Sequence, residues 1–239
     1  MATNPTHAAL ITALLTPGPR ALGALEAELL MYEGQYLFHY RQNAADHYKL
    51  LTADTVAVAF TGLGHDSGWL PPGLVRSGVT AGGPFAVLFQ PPAIHTLPII
   101  LGDNGAPQAL TIPLPGLVLA GHETNWYIWA VQEAVFTPTA LVYATPLPNV
   151  YPDGGICWGE NPVPPVGPGT MQAALDLFLH SPFNSHIAGG RIQTAQRDVR
   201  PFLRKLARAK ATTFPATELL PFNSHPTIDR ALERILQDR

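Results

Sequence analysis

The sequence holds one cysteine, Cys157, among 239 residues, so no internal disulfide forms and a reducing, cytoplasmic setting is expected. Charge is scarce as well. Asp, Glu, Lys and Arg make up 13% of the chain against 46% hydrophobic residues, which excludes intrinsic disorder for its body. No stretch nears the roughly 18 uninterrupted apolar residues of a bilayer span. No basic residue precedes the apolar patch in "MATNPTHAALITALLTPGPR", so a secretory leader is a poor match. Nucleotide loops are missing too, since "TAGGP" and "IAGGR" lack the required glycine spacing. There is no Gly-x-Ser-x-Gly elbow. No set of Cys, His, Asp and Glu repeats at ligand spacing, so no metal is expected.

What the chain has in quantity is proline and glycine, 25 and 21 residues, clustered in "WLPPG", "QPP" and "NPVPPVGPG". These clusters read as turns and rigid loops between short elements. The net charge of −3 hides a division: residues 1–190 carry 4 Lys/Arg against 12 Asp/Glu, and residues 191–239 carry 10 against 5. Seven cations fall between Arg191 and Lys210. They form either a solvated helix face or a contact for an acidic partner or nucleic acid.

Along the chain, "LEAELLMYEGQYLFHYR" reads as a hairpin broken at Glu33-Gly34, with a helix over Arg20 to Tyr32 as the alternative. "DHYKLLT" reads as a short strand, followed by a helix opened by Thr52 or Asp54 and stopped at Gly62 or Gly64. From Pro84 to Thr145, "PFAVLFQ", "LPIIL", "QALTIPL", "GLVLAG", "NWYIWAVQ" and "TALVYAT" are short, β-branched or aromatic, and spaced as an antiparallel meander. Trp126, Tyr127, Trp129 and Phe136 read as its core. Without βαβ alternation the fold class is α+β. Thr170 is the expected N-cap of "MQAALDLFLH", whose Met171, Ala174, Leu175 and Phe178 recur at helical spacing. "QTAQRDVRPFLRKLARAKA" and "TIDRALERILQDR" supply two further amphipathic helices, the last opened by Thr227. The expected division is residues 1–78, an N-terminal β/α extension, and residues 79–239, which carry the sheet and the basic C-terminal helices.

Cys157 lies in "PLPNVYPDGGICWG". A thiol is a strong nucleophile suited to holding an acyl group as a thioester. Such a carrier needs its sulfur on a rigid, irregular loop, with an amide near enough to steady a tetrahedral oxyanion. Asn149 stands eight residues before Cys157, separated by a Tyr-Pro-Asp-Gly-Gly turn that can bring the two together. His180, on the helix, reads as structural, and Asn149 is equally able to cap its own turn.

The segment resembles the active site of the ubiquitin-conjugating (UBC) superfamily: His-Pro-Asn, a short turn containing Asp-Gly, and a catalytic cysteine eight residues after the asparagine. Pro148, Asn149, Val150, Tyr151, Asp153, Gly154, Ile156 and Cys157 are in register with it. Within the superfamily the likeness is to the bacterial family D, known as protein B of the PRTRC system, through "IPLPGLVLAG", "ATPLPNVY" and "SPFNSH". It covers roughly residues 80 to 190. Leu147 stands where the superfamily has a flap histidine, a departure that family D shares. No counterpart of the superfamily's acidic residue for the incoming lysine is evident, and His186 in "SPFNSH" is the candidate proton acceptor.

The resemblance implies a UBC-like meander packed against helices, with Cys157 as thioester carrier, Asn149 and His186 as its catalytic company, and Pro148, Tyr151, Asp153 and Gly154 as the flap and turn. It further implies a ThiF-like adenylating enzyme, a ubiquitin-like protein and a JAB-type metalloprotease as partners, with ATP consumed by the activator. The alternative is a UBC-fold scaffold without turnover in a plasmid-borne complex, contacting nucleic acid through its basic C-terminal helices.

Overall fold

Strands lie on both sides of Glu33-Gly34 in the sequence. β1 (Ala27–Tyr32) pairs antiparallel with β2 (Gln35–Gln42), and β2 with β3 (Ala45–Leu51). Residues 27–32 are therefore strand, not the alternative helix. The computed structural model describes residues 27–32, 35–42, 45–61, 67–102, 105–222 and 226–237, so the remainder of that alternative helix, 20–26, lies outside the described residues. Ala, Leu and Glu favour a helix locally, but as strand residues Ala27 and Leu29 face Tyr40 and Phe38, and such cross-strand aromatic pairing outweighs propensity differences of a few tenths of a kcal/mol. α1 (Ala53–Thr61) comes next, opened by Thr52, whose hydroxyl accepts the Thr55 N–H at 3.2 Å.

These elements belong to one of two compact units, residues 1–67; the other is residues 68–239. On one face of the first unit's sheet, His39 lies between two carboxylates, Nδ1 2.8 Å from Glu28 and Nε2 3.2 Å from Asp46, with Tyr48 stacked on its ring at 4.6 Å. The hydrogen bond to Glu28, then that to Asp46, raises the imidazole above its ordinary 6.5. The bond from Arg41, then that from His39, lowers Asp46 below 3.8.

The second unit is built on a five-stranded antiparallel sheet in the order β10-β9-β8-β5-β4. Its strands are β4 (Leu74–Thr80), β5 (Gly83–Gln90), β8 (Gly116–His122), β9 (Asn125–Val131) and the two-residue β10 (Tyr143–Ala144). Between β5 and β8 the chain leaves the sheet to form a separate hairpin, β6 (Ala93–Ile99) with β7 (Gln108–Leu114). β4 spans residue 78, where the sequence pattern sets its division.

Alternation along the central strands fills both faces. Ala86, Leu88, Leu117, Leu119, Trp126 and Ile128 point to one core; Val87, Phe89, Val118, Ala120, Trp129 and Val131 point to the other. The first core is closed by the β6–β7 hairpin, α2 (Met171–His180) and α3 (Arg200–Arg208), the second by α4 (Ile228–Gln237). Helices on both faces of an antiparallel sheet make this an α+β fold, with four α-helices among the described residues. None of those helices is long and apolar enough to cross a membrane.

α2 buries Met171, Ala174, Leu175 and Phe178 on one stripe, as the spacing predicts, together with Leu179. Its start differs from expectation. The Thr170 hydroxyl does not cap the helix; it donates backwards to the Pro165 and Gly167 carbonyls, which fastens the proline loop. α3 is also shorter than its charge pattern suggests. Pro201 occupies the first turn, where a missing N–H is harmless, and a helix running further back would set its ring against the Arg197 carbonyl.

The His39 cluster predicts a pH window for the first unit. A raised histidine stabilises fully below its unfolded value, 6.5, and that contribution is lost as pH rises through the folded value. A lowered aspartate stabilises above 3.8 and the effect is lost as pH falls below it. Amide protection in β2, corrected for intrinsic exchange rates, should therefore be highest between these two limits and decline on either side. His39→Gln should abolish the decline on the alkaline side.

Candidate active site

The edge of the sheet ends early because of its sequence. Pro146 and Pro148 cannot donate to a ladder, so β10 stops at Ala144 and the chain turns away. Two anchors hold the departing segment: the Thr145 hydroxyl donates to the Ile128 carbonyl at 2.8 Å, and Leu147 is fully buried in the first core. A histidine there would need a hydrogen-bond partner; a leucine needs only the apolar contacts it has.

From Asn149 the chain makes a tight hairpin. Tyr151 donates its N–H to the Gly155 carbonyl at 2.7 Å and accepts one from Gly154 at 3.0 Å, while the Asp153 carboxylate accepts the Gly155 N–H at 2.9 Å. The hairpin lies along β9: the Ile128 N–H reaches the Gly154 carbonyl at 2.8 Å, and the Ile156 N–H reaches the Trp126 carbonyl at 2.9 Å. Gly154 has φ of +92°, and a Cβ there would sit 2.2 Å from Trp129 Nε1, so only glycine fits. The hairpin closes where the Cys157 N–H donates to the Asn149 carbonyl at 2.8 Å. Residues eight apart in sequence are thereby neighbours in space.

Asn149 has φ of +62°, a left-handed conformation that asparagine tolerates. It ties the hairpin to the loop after α2. Its N–H reaches the His186 carbonyl at 3.3 Å, and its side-chain Nδ2 donates to the Pro182 carbonyl at 3.2 Å, leaving its second N–H without a partner among the described residues. The His186 N–H is in turn held by the Asn184 side chain at 2.7 Å.

Cys157 is half-buried. The Tyr151 phenol lies near its sulfur, and interaction with the Cys157 side chain, ahead of burial and Asp153, raises the phenol above its ordinary value. Cys157, Asn149 and His186 line one cleft of about 350 Å³. Trp158 packs edge-on against Trp126 and Phe178 and forms a wall of that cleft. Asn161 braces it, donating to the Trp158 carbonyl at 2.8 Å and the Ser181 hydroxyl at 3.2 Å. The exposed Glu160 stands on the rim.

Of the residues singled out in the sequence, Asn149, Cys157 and His186 share the cleft, and Tyr151 reaches the sulfur from the hairpin. Pro148 is buried, and Asp153 and Gly154 shape the turn and do not line the cleft. Asp153 faces the buried Arg191, whose guanidinium is lowered by burial while the Asp153 charge opposes that shift. His180 donates Nδ1–H to the Asp176 carbonyl. Sequence reasoning missed Trp158, Glu160, Asn161 and Ser181. Only Asn161 left a local trace, its three-residue spacing from Trp158, which is that of a side chain closing its own loop. Among the described residues no group of three or more His, Cys, Asp or Glu is placed to hold a metal.

A sulfur on a braced turn in one cleft with a carboxamide is an arrangement able to hold an acyl group, and one family model matches the chain. It is prokaryotic E2 family D, matched over residues 48–222. The chain belongs to that family. No curated protein and no solved structure matches. Membership in a prokaryotic E2 family gives the chain a ubiquitin-conjugating-like role and implies partners of the activating-enzyme and ubiquitin-like kinds.

Gly154→Ala should strain the backbone and displace Trp129, lowering stability by about 2–4 kcal/mol. The check is chemical denaturation, with Gly155→Ala as a milder control. Near-equal midpoints for the two variants would contradict the packing described.

Proposed function

We propose that this family D protein carries a ubiquitin-like polypeptide as a thioester on Cys157 and passes it to an amine or thiol acceptor. The observation that carries the reading is the Cys157 N–H to Asn149 carbonyl bond, which sets the thiol and the carboxamide in one cleft with His186.

Charging begins when the Cys157 thiolate attacks the C-terminal carbonyl carbon of the polypeptide, held as a thioester on an activating enzyme. The oxyanion of the tetrahedral intermediate accepts the unused N–H of Asn149, the activator's thiolate leaves, and a new C–S bond remains on Cys157. In transfer, an acceptor amine attacks the same carbon. The C–N bond forms, the C–S bond breaks, Cys157 leaves as thiolate stabilised by the Tyr151 hydroxyl, and the amine proton passes to the exposed His186 ring. ATP is consumed upstream, so this chain needs no cofactor of its own. The activator is ThiF-like, a JAB-type metalloprotease reverses the bond, and the assembly is of the PRTRC kind, with this chain as its protein B. The second unit, residues 68–239, is the UBC-like part, with the first unit as an extension.

A second reading, a scaffold without turnover, rests on Leu147: a core side chain fills the place of the superfamily's flap histidine. One assay separates the two. The protein is incubated with its cognate activator, ubiquitin-like protein and ATP and run on a non-reducing gel. A thiol-sensitive adduct is expected, converted to a thiol-resistant oxyester by Cys157→Ser. Asn149→Ala should slow transfer about a hundredfold, and His186→Ala by a similar factor that shrinks as pH rises. An active partner set that yields no adduct favours the scaffold.

A further inference from the structure

We propose that the cleft on the outer face of α3 is a docking site for an acidic polypeptide segment, a contact separate from the thiol cleft. Residues 197–210 carry six cations, Arg197, Arg200, Arg204, Lys205, Arg208 and Lys210, and one acid, Asp198. That acid is already engaged. Arg200 is buried and holds Asp198 through Nε at 3.0 Å and a terminal nitrogen at 2.9 Å, with its other terminal nitrogen on the Ile100 carbonyl. The side chains of Arg204, Lys205 and Arg208 are exposed and make no ion pair or hydrogen bond among the described residues. With Leu101, Pro201 and the Asp198–Arg200 pair they line a cleft of about 330 Å³.

α3 presents this face because its apolar side is fully engaged. Leu203 and Leu206 are buried in the first core, and Phe202 packs edge-on against Phe214 at 6.0 Å. Cations in the last turn, Lys205 and Arg208, complement the helix dipole. The dipole gives no reason for Arg204, nor for like charges at Arg200, Arg204 and Arg208, four residues apart, which oppose helix formation. An anion in the cleft removes that opposition.

The occupant's class is set by size and surroundings. From Arg200 to Arg208 the helix rises about 12 Å, the length of roughly four residues of extended chain. Guanidinium forks take carboxylates two oxygens at a time, and Leu101 and Pro201 offer an apolar floor to a neighbouring side chain. A duplex binds through many phosphates spread along a rod, whereas this row is short and concave.

The test is fluorescence anisotropy of a short labelled peptide of glutamates around one leucine, against the full chain. Binding should weaken as salt rises, and fall at least about tenfold in the triple variant Arg204→Glu, Lys205→Glu, Arg208→Glu. Arg230→Glu on α4 and Cys157→Ser should leave it unchanged, the latter showing that the contact does not depend on thioester chemistry. Far-UV circular dichroism checks folding; should the triple variant unfold, the three Gln substitutions replace it and a smaller loss is expected. Equal affinity in wild type and folded variant, no peptide binding at low salt, or a DNA duplex bound more tightly than the peptide and lost in the same variant would each overturn the proposal.

Discussion

The candidate site depends on main-chain hydrogen bonding between an irregular hairpin and the strand beside it. β9 gives the Ile128 N–H and the Trp126 carbonyl to Gly154 and Ile156, so the loop that bears Cys157 is registered against the sheet much as a further strand would be. Side chains then need little adjustment. Once the register is set and Gly154 lies against Trp129, the Cys157 N–H meets the Asn149 carbonyl. Backbone contacts of this kind fix position more firmly than exposed side-chain contacts, since fewer rotatable bonds separate the sulfur from the core.

That register in turn requires β9 to be immobile, and its burial on both sides supplies this. Trp126 and Ile128 enter one core and Trp129 and Val131 the other. Each fully buried large apolar side chain contributes about 1.5–3 kcal/mol, so shifting the strand by one residue would exchange two complete sets of contacts. The short β10 has the opposite character: two residues of pairing and then proline, which frees the chain to climb over the sheet edge. Leu147 pins it there. In this position a leucine does by volume what a histidine does by hydrogen bonding, and the flap remains fixed without a titratable group beneath it.

Much of this was legible in the sequence because it is local. β5, β7, β8 and β9 announce themselves by β-branched and aromatic content, α2 by its 3.6-residue stripe, and the Asn149 to Cys157 spacing by the turn residues within it. What was hidden depends on contacts remote in sequence. β4, "LVRSGVT", has neither clean alternation nor many large apolar residues; it is a strand because β5 offers it an edge. Thr170 looked like a cap, yet its hydroxyl found carbonyls of the preceding proline loop. Ala27–Tyr32 has a helical composition and pairs as a strand. In the cleft, Asn161 and Ser181 meet only because α2 ends beside the loop after Cys157.

The same separation of local and remote causes governs charge. Arg191 and Arg200 belong to one basic run, yet both are buried and face single acids, Asp153 and Asp198, close to the chain turns they stabilise. Their charge is internal to the fold. Arg191 precedes α3 and Arg200 is its first residue, beside Asp198, whereas Arg204, Lys205 and Arg208 lie further along the helix and are exposed while Leu203 and Leu206 go inward. A run of cations that looks uniform in sequence is thus divided, by burial and by an acid within reach, into members that brace the structure and members left to act on something outside it.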